Sequence, residues 1–336
     1  MSLDRFLTWI EGRTEKRLTK RRAVKAYLNE RRNRHSFWGT VIEYVDVLVA
    51  AAFWVIIINQ FLAEFFLIPT VSMFPTIEAG DRIVAFKDEY GVELYPYGPK
   101  VADENRGVQR DDVITFYNPE CESKGPVFDI MAKAIRYATL SLVNLDVNPD
   151  GTTTERMLVK RAVGLGGDSV RFKDGNVYIK VAGSGEYVPE ESFRKDNGLV
   201  LSPQRTIKTE TYDGLKSAAT IKAFNEAGVP YSSALLDDVK KLREKAGNSI
   251  VDLYEFSHAY ANARTVIDPT DMEARSSAAV YRTGIYVPEG YVLPLGDNRD
   301  NSLDGRYFGP VSEKTVNGRL VFRFWPLDRI GVTTDN

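Results

Sequence analysis

The sequence is short of the residues that most often carry enzyme chemistry: its 336 residues include one cysteine and two histidines. Cys121 alone cannot close an intramolecular disulfide, so covalent cross-links contribute nothing to the fold. His35 and His258 stand far apart, and no Cys/His cluster has metal-ligand spacing. No metal and no other cofactor is expected. An excess of one charge is lacking too: 44 Lys and Arg face 46 Asp and Glu, for a net charge of −2. A nucleic-acid binder would usually show a basic excess over a whole domain, so no nucleic-acid partner is expected. The early apolar run of a cleaved signal peptide is also missing.

The charge that is present is unevenly spread. From Arg13 to Arg34 there are ten Lys or Arg and two acids, Glu15 and Glu30. Val47 to Ala63 then carries no charge, and Val47 to Ile58 is wholly apolar. Adding Phe37 to Asp46, with Glu43 and Asp46 inside it, gives about the 20 residues that a bilayer core requires. Residues 37–66 are therefore expected to form one N-terminal transmembrane anchor, with the lipid bilayer as partner. On a helix Asp46 and Glu64 share an azimuth, with Glu43 and Gln60 near it, where they could reach headgroups. The cations ahead of the apolar run make residues 1–36 a basic cytoplasmic arm and place everything after about residue 64 outside.

Beyond the anchor the pattern changes. Ile68 to Phe86 reads as a loop entering a strand, and Pro69 and Pro75 keep the backbone around Ser72 out of a helix. Further strands are expected at Asp112–Tyr117, Met157–Ala162, Ser169–Phe172, Asn176–Val181, Tyr291–Leu295 and Leu320–Trp325. Short strands divided by Gly, Asp and Asn point to an antiparallel, barrel-like β domain. Two stretches break that pattern. Phe128 to Val143 is amphipathic at helical spacing, and its apolar face raises contact with lipid. Tyr212 to about Ala279 holds several helical patterns broken at Gly228, Pro230 and Gly247, with Leu235, Val239, Leu242, Ile250, Leu253 and Tyr254 as a small core. His258 lies among them and reads as a packing or surface residue.

Serine needs a neighbouring base to attack at neutral pH. With the histidines badly placed, lysine is the candidate base, provided burial disfavours its ammonium form. Lys160 lies in Met157–Val163, flanked by apolar residues. Strand alternation puts it on one face with Leu158 and Ala162, opposite Val159 and Arg161. Taken alone, such a lysine is usually a snorkelling surface residue, and a serine between prolines is usually a turn residue.

In combination these segments resemble the motifs of type I signal peptidases. Ile68-Pro69-Thr70-Val71-Ser72-Met73-Phe74-Pro75-Thr76 with Gly80-Asp81 is similar to the family's nucleophile motif. Lys160-Arg161-Ala162-Val163-Gly164 with Gly167-Asp168 is similar to its base-bearing motif. Gly296 through Gly309, GDNRDNSLDGRYFG, is similar to its third. Arg110–Phe116 and Phe322–Pro326 match more weakly. The order is the family's, behind an anchor in the family's position. Gly166 and Gly305 depart from it, standing where the family usually has Pro and Ser.

The resemblance implies a membrane-bound serine endopeptidase that removes N-terminal signal peptides from exported precursors after small residues. It implies Ser72 as nucleophile and Lys160 as general base. Thr70 and the Ser72 N–H would form the oxyanion hole, Ser302 would orient Lys160, and Asp304 and Arg306 would brace the site as an ion pair. Ile68, Ile77 and Val159 would line shallow pockets for the substrate's small side chains. Asp297 and Asn298 read as a tight turn needing only backbone capping.

The fold expected is mainly β, a barrel-like antiparallel catalytic domain at 67–211 and 280–336. It would carry an amphipathic helix at 128–143 and a helical subdomain inserted at 212–279, all behind the single anchor. The implied location is a bacterial inner membrane, with the catalytic domain on the outer side. Ser72 lies nine residues beyond Ala63, so it can stand at most about 30 Å from the anchor's end. Two rivals remain: a self-cleaving Ser-Lys protease like the SOS-repressor relatives, which are soluble and carry a DNA-binding head, and an inactive membrane-tethered scaffold that binds partners through its helices.

Overall fold

A run of apolar residues with no strand-type alternation becomes helix here, and the first aromatic β-formers after it end that helix. In the computed structural model, helix α1 spans Leu3–Asn33 and α2 spans Phe37–Phe61. The residues described are 3–33, 37–87, 89–101, 107–121, 123–139, 145, 147, 156–199, 203, 205, 207–246 and 252–332. Within α2, Thr40–Phe61 has a mean hydropathy of 2.3 and is not buried by the rest of the chain. Among the described residues it is the one helix long and apolar enough to cross a membrane.

The expected anchor over 37–66 is too long. The last turn closes with Leu62 N donating to Ile58 O, and Ala63–Leu67 is already strand β1. Glu64 does not reach toward headgroups. It is buried, with Lys87 Nζ 2.7 Å from Oε2 and Tyr137 Oη donating to Oε1 at 2.6 Å.

The remaining strands follow in chain order. They are β2 (Arg82–Phe86), β3 (Val92–Glu93), β4 (Lys100–Val101), β5 (Val113–Tyr117), β6 (Met157–Leu165), β7 (Ser169–Lys173) and β8 (Asn176–Lys180). Then come β9 (Val188–Pro189), β10 (Ile285–Tyr286), β11 (Tyr291–Leu295), β12 (Val311–Ser312), β13 (Val316–Trp325) and β14 (Gly331–Val332). The main sheet is antiparallel in the order β1-β2-β13-β5-β6-β11-β12, with β14 on β13, and it curls into a half-barrel. A second sheet runs β10-β7-β8-β9. Each strand expected from the sequence forms. β6 and β13 run longer than expected, and the added residues Val163 and Val316 are buried in the core.

Three clusters fill the half-barrel. Ile114, Phe116, Leu158, Ala162 and Val292 form one. Val163, Val170, Val177, Leu293 and Leu295 form the second, and Ile68, Met73, Ile77, Ile83 and Leu320 the third. The strands that carry the site residues therefore share their cores with the segment around Ser72.

The expectation of a mainly β chain is corrected, since more residues lie in helices than in strands. α3 covers Pro126–Ala138 and α4 Glu190–Asp196. The expected continuation of α3 over 140–143 lies outside the described residues. α5 (Tyr212–Glu226), α6 (Ser233–Ala246), α7 (Leu253–Ile267) and α8 (Met272–Thr283) occupy the region read as helical. α5 stops before Gly228, whose φ of +67° leaves the helical region.

These helices have a small core of Ile207, Tyr212 and Leu215, with Leu242 against it. They are not self-contained, because Tyr254 of α7 is buried in the cluster of Phe172, Val177 and Leu293. Leu253, expected in the helical core, is 59% exposed, and Ile250 lies outside the described residues. α9 is one short turn, Gly305–Phe308.

The buried Glu64 makes a pH test of the junction between α2 and the sheet. Burial works to raise its pKa, but Lys133 and Lys87 outweigh burial and bring it from 4.5 to about 2. A depressed carboxylate contributes stability that is complete above its unfolded pKa and lost as pH falls through the folded one. Glu64→Gln is expected to cost roughly 3 kcal/mol at pH 7, because it also leaves Lys87 without its counter-charge. Unfolding monitored against pH should show this gap closing between 4.5 and about 2. A gap constant across that window would contradict the assignment.

Candidate active site

The site begins in the loop between β1 and β2. Its neck is closed by Ile68 N donating to Asp81 O at 2.9 Å and Gly80 N donating to Ile68 O at 2.8 Å. Gly80 has a φ of +94°, which favours glycine there. Inside the neck, Phe74 N donates to Val71 O and Ile77 N to Met73 O. Met73 and Ile77 are almost fully buried and draw this coil onto the sheet. Ser72 is left half-buried, with Thr70 exposed beside it. The hydroxyls of Thr70 and Ser72 are 3.4 Å apart.

β6 supplies the next group. It runs between β5 and β11, and Ile114 of β5 pairs with Lys160. Lys160 shares a face with Leu158 and Ala162, which lie in the apolar cluster with Phe116 and Val292. The lysine is 4% exposed. Its Nζ donates to Ser72 Oγ at 2.8 Å and to Val159 O at 3.0 Å. A hydroxyl and an amine 88 residues apart in sequence are thus in direct contact.

The neighbouring Arg161 points to the other face, where it is 3% exposed and paired with Asp297. Its Nε donates to Oδ1 at 2.7 Å and its Nη2 to Oδ2 at 2.8 Å. Burial tends to lower the guanidinium's pKa, but Asp297 and Asp111 more than offset it, so the net shift is upward. Thr76, from the Ser72 loop, donates to Asp297 Oδ2 at 2.5 Å. One strand therefore holds the Ser72 loop twice, through Lys160 on one face and Arg161 on the other.

The third segment follows directly on β11. Asn298 N donates to Ser72 O at 3.0 Å, and Asn298 Nδ2 donates to Val71 O at 3.1 Å. Gly296 lies between Ser302 and this loop. A Cβ there would come within 2.1 Å of Ser302 Oγ and 2.6 Å of Ser72 O. Arg299 is buried and donates to both oxygens of Glu190 on α4 and to Gly296 O. Asp300 accepts from Ile207 N at 2.8 Å.

Asp304 and Arg306 form the ion pair that the resemblance implies. Arg306 Nε donates to Asp304 Oδ1 at 2.9 Å, and Gly296 N donates to Oδ2 at 2.9 Å. Burial pushes the Asp304 pKa up, but Arg306 and the N–H donors outweigh it and hold the carboxyl below its ordinary value. Ser302 differs from expectation. Its Oγ is buried against Gly296 with no hydrogen-bond partner, so the implied bond to Lys160 is not formed.

Of the expected pocket residues, Val159 is half-buried, Ile68 is 6% exposed and Ile77 is fully buried. Ile77 therefore supports the surface from behind. Asp297 and Asn298 do more than cap a turn, since they tie the third segment to β6 and to Ser72. The signal for this was an arginine in the middle of a largely apolar strand, because a buried charge demands a counter-charge.

Gly305 and Gly166, where the chain departs from the family pattern, differ in what surrounds them. A Cβ at Gly305 would meet Pro294 O at 2.8 Å, and one at Gly166 would meet Glu289 Oε2 at 2.8 Å. The backbone contact leaves no room for a side chain at Gly305, whereas at Gly166 the near atom is the end of the exposed Glu289 side chain, which can move aside.

A family model described as signal peptidase, peptidase S26, matches residues 41–325. The chain belongs to this family. It is similar to the signal peptidase I of Buchnera aphidicola subsp. Baizongia pistaciae, with 27% identity over 303 residues, 82% of this chain and 78% of that protein. The signal peptidase I of Pseudomonas aeruginosa is 25% identical over 299 residues, covering 85% and 74%. A short segment of 65 residues, 19% of the chain and 16% of the relative, is 42% identical to a probable thylakoidal processing peptidase 2 of Arabidopsis thaliana.

Removing the carboxylate at 297 tests the fixing of the loops in this family member. Asp297→Ala leaves the Arg161 charge buried and unpaired, and is expected to cost about 3–5 kcal/mol in denaturant unfolding. A loss below about 1 kcal/mol would show that the pair is solvated and holds nothing.

Proposed function

We propose that the chain is a membrane-anchored serine endopeptidase that removes N-terminal signal peptides from exported precursors after small residues. The observation that carries this reading is the 2.8 Å contact between Lys160 Nζ and Ser72 Oγ in an otherwise apolar setting. A neutral amine there can take the Ser72 proton as Oγ attacks the scissile carbonyl. The Ser72 N–H and the Thr70 hydroxyl are assigned as donors to the developing oxyanion. Lys160 then gives its proton to the leaving amine. Water, deprotonated by the same amine, hydrolyses the Ser72 ester.

Ser302 is assigned to orient the amine when substrate closes the site, since catalytic hydrogen bonds often tighten only in the complex. Asp304 and Arg306 hold Gly296, and through it the wall beside Ser72. Val159 and Ile68 are assigned to the small-residue pockets, with Ile77 behind them.

α2 is assigned as a single membrane span, with α1 on the cytoplasmic side and the site outside, because ten cations precede the apolar run. The assignment to a bacterial inner membrane rests on the bacterial signal peptidase I relatives. Precursor and lipid are then its partners. The domain boundaries follow the same reading: arm, anchor, and a catalytic domain interrupted at 212–279 by helices.

Cleavage of a signal-peptide-bearing precursor by the detergent-solubilised protein tests the mechanism. Ser72→Ala and Lys160→Ala should each lose about 1,000-fold or more in rate. Lys160→Arg should not restore it, because a guanidinium does not deprotonate. The parent's rate should rise with pH as the amine loses its proton. Equal cleavage by the parent and the Ser72 and Lys160 variants would sink the proposal.

A further inference from the structure

α3 is amphipathic in the reverse sense to a helix on a water-facing surface. Residues three and four apart share a helix face. One face carries Asp129 and Tyr137, which are 3% and 9% exposed, with Lys133 between them. Asp129 Oδ1 accepts from Arg156 Nη1 at 2.7 Å, and Tyr137 Oη donates to Glu64 at 2.6 Å. Lys133 Nζ lies 3.9 Å from Glu64 Oε2. The polar face is turned into the protein. The opposite face carries Val127, Ile130 and Met131, which are 72%, 45% and 54% exposed. A surface helix of a soluble domain buries its apolar stripe and shows its charges, and a contiguous exposed apolar face marks a contact surface.

The position of α3 identifies what covers that face. α3 lies against α2, the candidate membrane span. Tyr137 fixes its C-terminal end to Glu64, three residues beyond the last residue of α2. The exposed apolar surface continues from α2 into Leu62, Phe65 and Leu67, which are 58%, 48% and 63% exposed. The Lys124 ammonium sits 5.2 Å from the centre of the Phe128 ring at the other end of α3, where a cation suits phosphate headgroups.

We propose that α3 is an interfacial helix whose Val127, Ile130 and Met131 face is seated in the bilayer leaflet where α2 emerges. Interfacial helices of this kind sit about 5–10 Å into the boundary between headgroups and acyl chains. One helix alone would let the catalytic domain swivel about its anchor. Two attachments fix its tilt, and with it the depth of Ser72. The inference rests on reading α2 as a membrane span.

The test uses the full chain with Cys121→Ser, carrying one added cysteine labelled with an environment-sensitive fluorophore. The labelled variants are Met131→Cys on α3, Phe53→Cys on α2 and Leu236→Cys on α6, each reconstituted into vesicles of acyl-chain-brominated phosphatidylcholine. The bromolipid should quench the labels at 131 and 53 by roughly half or more and leave the label at 236 unchanged. A label at 131 reached by aqueous iodide but not by bromolipid, with 53 quenched, would overturn the proposal and leave the span standing. A label at 131 shielded from both quenchers would overturn it in favour of a protein partner or second copy. An unquenched label at 53 would remove the membrane reading of α2 and the proposal with it.

Discussion

The Arg161–Asp297 ion pair is the contact on which the rest of the site depends. The charges are 2.7 Å apart, both are almost fully buried, and Thr76 bonds to the same carboxylate. They join three segments that are distant in sequence: the Ser72 loop, β6 and the loop after β11. A buried pair of this kind is weak evidence for net stability, because desolvation opposes the attraction. Its value here is geometric. It holds the start of the loop after β11 against β6, next to the point where Asn298 bonds to the Ser72 and Val71 carbonyls.

Each charged residue of that loop is tied to a different element. Asp297 reaches β6, Arg299 reaches α4, Asp300 reaches the segment before α5, and Asp304 holds Arg306 and Gly296. Gly296 then admits a close approach that no larger residue allows. The helices at 212–283 join this scheme through Tyr254, which packs into the cluster behind β11. The helical region and the site share a core, so the helices bear on how β11 presents the loop.

Most of the sheet was legible in the sequence because alternation and turn residues record it locally. Met157–Ala162 and Tyr291–Leu295 form strands as read. The Ser72 loop was legible for the same reason, since Pro69 and Pro75 exclude helix on both sides. The end of the anchor was not, because Glu64 has no local partner: Lys87 and Tyr137 come from β2's far end and from α3. The same limit hid Asp297, whose sequence neighbours describe a turn and whose partner lies 136 residues away. The excess of helix over strand escaped notice because α1 shows a run of charge rather than an amphipathic stripe. The inverted polarity of α3 needs the structure, since a sequence shows that a helix has two faces and not which one is covered.

The account's central claim is that Ser72 Oγ is the attacking atom, activated by the amine beside it. Rapid acid quench of the enzyme turning over a precursor, followed by peptide mapping in the mass spectrometer, tests it most directly. The account predicts a transient mass increase on the peptide containing Ser72, equal to the signal peptide less one water, esterified to Ser72 through its C-terminal carbonyl. Turnover with that peptide unmodified, or with the adduct on another residue, would contradict it.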